Sequence, residues 1–446
     1  MWFPSWLRNR TVSRKPRPAS RFRPALEMLE DRCVPATFTV NTTLDVLRSG
    51  HADTTLSLRQ AIIDANASAT TADTIILPAG NYILTRAGAG EDNCLTGDLD
   101  IKGPLTINGA GAGSTVVDAA GLDRVFHTYN YVITLSGMTI QGGNAVSGSF
   151  GPNGGGIANP YVGGALTLNN CVVTGNTAAG NGGGITSGGS LTVNNSVISN
   201  NRVNSGGWGG GIYNLGTLTV TNSTLSGNAA PGDAWGAGGL GGGIAHVSGA
   251  MTIQTSTLSG NSAHTGGAIY FSSTQYYPSS VQNSTFSNNS ASQGGGIYAR
   301  SGNLTVANCT LSGNSASQQG GGIYNNSSIL AVTNCTVIGN SASQGGGIYT
   351  YGGSVTVSGS TFTGNSATDS GGGIYNTFIT RLTISICTFA GNSATNSGGG
   401  VFNGSGATLT VRGSTLLDNF APLGADLYNL GRLFASSSTI GNVIYP

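Results

Sequence analysis

From about residue 154 onward the chain repeats one phrase, Gly-Gly-Gly-Ile-Tyr-Asn followed by Leu-Thr-Val-x-Asn-Ser-Thr-Leu-Ser-Gly-Asn-Ser-Ala, and its clearest copy runs from Gly320 to Ala342. The apolar residue after the glycines sets the phase: Ile157, Ile185, Ile212, Ile244, Ile269, Ile297, Ile323, Ile348, Ile374, Val401 and Leu427, at intervals of 25 to 32 residues. Such a period restricts the chain to solenoid architectures, in which each unit buries its apolar face only against its neighbours. Leucine-rich repeats have a similar length but need Leu at fixed offsets, which is absent here. Two short alternating strands, with a third near the glycines, fit one triangular coil of a parallel β-helix.

Aligned on this phase, further columns appear. One runs Leu168, Val193, Val220, Ile253, Val281, Val306, Val332, Val357, Ile384, Val411; another runs Val173, Ile198, Leu225, Leu258, Phe286, Leu311, Val337, Phe362, Phe389, Leu416. Stacked in register at about 4.8 Å, each becomes an apolar ladder facing inward. A polar column, Asn176, Asn201, Asn228, Asn261, Asn289, Asn314, Asn340, Asn365, Asn392 and Asn419, suits stacked turn amides. Cys171, Cys309, Cys335 and Cys387 share a column with Ser196, Ser223, Ser256, Ser284, Ser360 and Ser414, so the position asks for a small side chain and the thiols are expected to be free and buried. A Cys309–Cys335 disulfide is conceivable between neighbouring coils.

One column does not follow from core building. Tyr270, Tyr298, Tyr324, Tyr349, Tyr375, Phe402 and Tyr428 directly follow the phase mark, and Tyr213 belongs with them. If Ile points in, period-two alternation points its neighbour out. The column is either an aromatic stripe able to bind a sugar or a protein surface, or a ladder of rings stacked on one another.

The composition agrees with a solenoid: 74 Gly, 38% hydrophobic, 7% aromatic, 8% charged and a net charge of +1. That balance gives no basis for nucleic-acid binding. From Val125 onward there is no Glu and no Lys. The glycine triplets do not precede helices, which excludes a phosphate-binding loop.

The N-terminal part differs. Residues 1–36 carry eight basic residues before Cys33 and no apolar run long enough for a signal core or a transmembrane helix. Leu29-Glu30-Asp31-Arg32-Cys33-Val34-Pro35-Ala36 resembles the short segment preceding many large exported proteins of planctomycete bacteria, which implies export or surface sorting. Thr37–Thr43 alternates like a strand. Ser57 and Gln60 form a capping box, with Leu58, Ala61, Ile62 and Ala65 on one helical face, and Thr74–Thr85 reads as strand, turn, strand. Leu56-Ser57-Leu58-Arg59-Gln60-Ala61-Ile62-Ile63-Asp64-Ala65-Asn66, continuing through Gly97-Asp98-Leu99-Asp100-Ile101 to Asp123-Arg124-Val125-Phe126, resembles the CSLREA domain of bacterial surface proteins. That resemblance implies a cap and first coils over residues 37–126, ahead of β-helix repeats over 127–446. The repeat words also resemble those of polymorphic outer membrane proteins and related adhesins, which implies surface location.

The expected fold is therefore all-β: a right-handed parallel β-helix like the pectate-lyase solenoids, with a short N-terminal capping helix. About fourteen coils would extend roughly 65–70 Å. Candidate chemistry is thin. Asp418 and Asp426 lie near Arg412 and Arg432, and a richer group, Asp98, Asp100, Asp118, Asp123 and Arg124, lies in the first coils. His51, His127, His246 and His264 share no metal or triad spacing. The sequence thus points to no catalytic residue, cofactor or metal. It favours a non-enzymatic secreted or cell-surface bacterial protein for adhesion or spacing, with polysaccharide or another surface protein as partner. The alternative is a polysaccharide lyase or glycoside hydrolase, whose carboxylates must stand within about 5–10 Å. The last coil, Leu427 to Ile440, shows no cap, which would permit end-to-end association.

Overall fold

The computed structural model describes residues 34–445, apart from 51, 69 and 148–150. The basic arm up to Cys33 and His51 therefore lie outside the described residues. The rest winds into a right-handed parallel β-helix in which the described strands pair in parallel, in sheets of 15, 14, 10 and 14 strands. In coil order, Ile329–Thr333 belongs to the first sheet, Thr336–Ile338 to the second, Ser341–Gln344 to the third and Ile348–Tyr351 to the fourth. The third sheet is an addition to the expected triangle. Its Ser-Ala words read as turns in sequence, yet they pair coil to coil and bury a small alanine column.

The expected columns form the core. Ile323, Val332 and Val337 are wholly buried and pair in register with Ile348, Val357 and Phe362 of the next coil. The first sheet supplies a second inward column, Leu304, Leu330, Val355, Leu382. The asparagine column is a continuous hydrogen-bonded chain. Each Nδ2 donates to the Oδ1 of the next coil at 2.8–3.1 Å from Asn176 to Asn419. Such chains polarise one another, so the ladder holds the coils in register cooperatively. Asn419 Nδ2 ends on Asp426 Oδ1 at 2.9 Å, and Asp426 Oδ2 accepts from Asn442 N at 2.7 Å.

Two corners show why particular residue types recur. Between the first and second sheets the chain passes through the left-handed region, filled by Asn at 195, 222, 283, 308 and 334 with φ near +50°. Asn tolerates this conformation by bonding locally. Before the fourth sheet Gly320 has φ +69°, and a Cβ on Gly321 would stand 2.4 Å from two carbonyl oxygens of the next coil. Only glycine fits there.

At the N-terminal end the helix Leu58–Asn66 buries Leu58, Ala61, Ile62 and Ala65, and Ser57 caps it by accepting from Gln60 N at 3.0 Å. The reciprocal half of the capping box is missing, because Gln60 Oε1 accepts from Arg48 N instead. The five cysteines among the described residues are free and buried, and Cys309 N donates to Cys335 Sγ at 3.4 Å. No described helix is long and apolar enough to cross a membrane.

Candidate functional site

The outward column of the fourth sheet is the feature from which the site is built. In-register pairing links Asp100, His127, Ala158, Thr186, Tyr213, Ala245, Tyr270, Tyr298, Tyr324, Tyr349, Tyr375, Phe402 and Tyr428 into one line. Its two ends are chemically unlike.

At the aromatic end the rings point away from the apolar core, as alternation requires, but they are not open. Tyr270 is 4% exposed and Tyr298, Tyr324, Tyr349 and Phe402 are each 8% exposed, while Tyr375 and Tyr428 are half-buried. Successive rings stack at 4.4–5.6 Å, so each interior ring has neighbours on both faces. What remains outward is hydroxyl edge: Tyr270 Oη accepts from Arg300 at 3.4 Å and Tyr298 Oη from Asn326 at 3.0 Å. Burial raises the Tyr349 phenol to about 12, so the stack stays uncharged at neutral pH.

At the polar end the loop 85–98 covers the column. Arg59, on the buried side of the helix, binds the Asp45 carboxylate at 2.6 and 3.2 Å and donates to the carbonyls of Cys94, Gly97 and Asp98 at 3.3, 2.8 and 3.0 Å. Glu91 tightens the same loop by accepting from the backbone of Asn93 and Leu95, each at 2.6 Å. The wholly buried Asp100 then accepts from Cys94 N at 2.9 Å through Oδ2, and its Oδ1 meets His127 Nδ1 at 3.1 Å. Asp92 Oδ1 stands 4.0 Å from the same nitrogen. Donor atoms of Asp92, Asp100 and His127 all lie within 4.8 Å of one another. The Tyr129 ring lies 4.5 Å from His127, stacks on Tyr161 at 5.4 Å and carries Lys102 Nζ at 5.2 Å. Burial, followed by Asp100 and Asp92, pushes the Tyr129 phenol far above its ordinary value.

Of the five charged residues picked out in the first coils, Asp98, Asp100, Asp123 and Arg124 converge, with Arg124 Nε 3.5 Å from Asp98 and 4.0 Å from Asp123. Burial, then Asp100 and Asp123, raises the Asp98 carboxyl to about 8. Asp118 instead holds Gln141 and the Ala120 amide on the second sheet. Asp426 ends the asparagine ladder, so it is committed to structure, whereas Asp418 is exposed at a corner. His246 is buried between Asn214 and Gly249 at 3.0 Å each and stacks on Phe271. Burial lowers it to about 4. A neutral imidazole can donate only once, and Asn214 Nδ2 otherwise has no partner. Turning that amide so that Nδ2 donates to His246 Nδ1 satisfies both.

Sequence spacing indicated no metal-type cluster, yet the fold brings Asp92, Asp100 and His127 together. The signal was present. Carrying the phase mark back from Ile157 to Phe126 and Leu99 places His127 directly over Asp100.

Sequence reasoning also missed the corner between the fourth and first sheets, beside the column. There Tyr276, Tyr277, Tyr351 and Phe378 are 40–90% exposed, and Tyr351 stacks on Phe378 at 4.6 Å. Pro160, Val162, Leu215, Thr217 and Tyr277 help line an open groove of about 420 Å³ whose described lining holds no carboxylate, amine or imidazole. Tyr161, between Pro160 and Val162, joins this groove to the polar cluster through its stack on Tyr129.

The repeats match a known family profile, described as the right handed beta helix region, over residues 240–378 and 323–444. No curated protein matches the chain. Among solved structures it is similar to a mannuronic-acid-specific family 6 polysaccharide lyase from human gut microbiota, at 10% identity and TM-score 0.39, covering 90% of this chain and 82% of that one. The mannuronan C-5 epimerase A-module of Azotobacter vinelandii is similar at 16% identity and TM-score 0.34, with 86% and 94% covered. The catalytic unit of an α-1,3-glucanase from Streptomyces thermodiastaticus follows at 14% identity and TM-score 0.29, with 87% and 67% covered. No residue role passes from these three to this chain.

Proposed function

We propose that this chain is a non-enzymatic secreted or cell-surface β-helix that binds polysaccharide along the corner between its fourth and first sheets. The observation that carries the reading is the exposed aromatic edge, Tyr276, Tyr277, Tyr351 and Phe378, with Tyr277 lining a groove whose described lining holds no carboxylate, amine or imidazole. Ring faces open to solvent suit the apolar faces of sugars, and Ser190 and Thr217 add hydroxyl partners. The buried stripe from Tyr270 to Tyr428 backs this edge and contributes hydroxyls at Tyr270 and Tyr298 rather than ring faces. Stacked rings and an asparagine ladder make a stiff support, which suits a spacer as well as an adhesive surface.

A second reading, polysaccharide cleavage, is favoured by one specific arrangement: Asp92, Asp100, His127 and Tyr129, which adjoin Tyr161 through its stack on Tyr129. A glycan-binding survey with product analysis separates the two. Saturable binding without new reducing ends or unsaturated products is expected, and binding should fall in a Tyr277→Ala/Tyr351→Ala/Phe378→Ala chain. Unchanged binding by that variant rejects the corner. Product formation abolished by His127→Gln rejects the non-enzymatic reading.

A further inference from the structure

We propose that Asp92, Asp100 and His127 form a site for a divalent transition-metal ion, of which zinc is the representative. Geometry comes first. Donors held about 2.0–2.2 Å from one ion stand roughly 3.0–3.5 Å apart in tetrahedral or adjacent octahedral positions. His127 Nδ1 and Asp100 Oδ1 are already 3.1 Å apart. Asp92 Oδ1, at 4.0 Å from Nδ1 and with the whole donor set within 4.8 Å, must close by up to about 1–2 Å to reach that spacing. It can do so because its side chain is 40% exposed, while those of Asp100 and His127 are fixed at 0% and 1%. Asp100 is oriented for the task, since Cys94 N holds its Oδ2 and leaves Oδ1 facing the imidazole.

Charge provides an independent reason. Asp98, Asp100 and Asp123 are each at most 3% exposed, and among the described residues Arg124 is the guanidinium that pairs with Asp98 and Asp123. Arg59 is committed chiefly to Asp45, which it binds at 2.6 Å. A bound dication adds positive charge directly beside the wholly buried Asp100 carboxyl.

The donor set selects the ion. Calcium takes six to eight oxygens in a flexible cage, whereas two carboxylates and one imidazole match zinc and its neighbours. Binding converts the Nδ1–H···Asp100 hydrogen bond into an Nδ1–metal bond, and the displaced proton passes to Nε2, so the imidazole remains neutral. The ion would tie the loop 85–98 to two successive coils, and this holds whether or not the corner groove binds polysaccharide.

The test is calorimetric titration of the full chain with Zn²⁺, with Ca²⁺ in parallel, on wild type, Asp92→Asn and His127→Gln, each checked for native β-structure by circular dichroism. One Zn²⁺ per chain is expected, weakened about tenfold or more in each variant. Asp92 sits on the loop surface, so Asp92→Asn remains decisive if His127→Gln does not fold. Absence of saturable Zn²⁺ binding, equal binding by wild type and Asp92→Asn, or preference for Ca²⁺ would each overturn the proposal.

Discussion

The outward column of the fourth sheet is one backbone position occupied in two ways. At Asp100 and His127 the side chains are polar, and a separate loop, pinned by Arg59 and Glu91, covers them. From Tyr270 to Tyr428 the side chains are aromatic and cover one another. The coil geometry is the same, so the difference lies in how burial is achieved. A periodic stack needs no extra chain. A polar group needs a built enclosure, and that enclosure brings charges from distant segments together.

The comparison predicts different responses to damage, and the largest effects come from breaking each region's characteristic polar device. Asn340→Ala removes a side chain that accepts from Asn314 and donates to Leu311 O and Asn365. With several buried partners left unpaired, the loss should be about 4 kcal/mol or more. Loss of amide protection in hydrogen exchange should spread to the coils on both sides, since a solenoid couples nearest neighbours. Arg59→Met strands the buried Asp45 and should cost about 3–5 kcal/mol. Its effect should remain within residues 45–98. Equal spreading in both variants would erase the distinction between periodic and enclosed burial.

A smaller effect sharpens the contrast through pH. His246 lies inside the charge-poor repeats with a folded value of about 4 against an ordinary 6.5. Between these values the unfolded chain binds a proton that the folded chain does not. Stability is therefore complete above pH 6.5 and falls as pH drops towards 4, by about 3 kcal/mol. Thermal melts of wild type and His246→Asn across this window measure the term, which should vanish in the variant. A wild-type melt no steeper in pH than the variant's would contradict it.

The smallest effect is a gain. Ile386 occupies the left-handed corner that Asn fills in six other coils, with φ +55° and 76% exposure. A β-branched residue is strained there, so Ile386→Asn should stabilise by about 1 kcal/mol in denaturant titration. No change in midpoint would show that the corner imposes no such cost.

Much of the fold was legible because stacking turns each structural position into a column. Ile323, Val332, Val337 and Asn340 could be assigned from phase alone, since an error in any one coil is corrected by its neighbours. Phase also gave the direction of Tyr324. Its burial was not legible, because exposure depends on whether adjacent rings fill the space, and alternation is silent on that. The third sheet was hidden since Ser341-Ala342 has neither the length nor the β-branched content of a strand. Asp92 escaped for another reason: it lies in a non-periodic loop whose position Arg59 sets from a different element. The corner aromatics fall in loops of unequal length between columns, where no register exists to align Tyr277 with Tyr351.

The central claim is that ligand contact occurs at the fourth-to-first corner and not elsewhere around the coil. It is tested most directly by measuring the affinity of a bound oligosaccharide for Tyr351→Ala and for Ile386→Asn, which lies at another corner of the solenoid. Loss of an exposed stacking ring should weaken binding about tenfold, or 1.4 kcal/mol, while Ile386→Asn binds as wild type. Undiminished affinity in Tyr351→Ala, or an equal loss in both variants, would contradict the account.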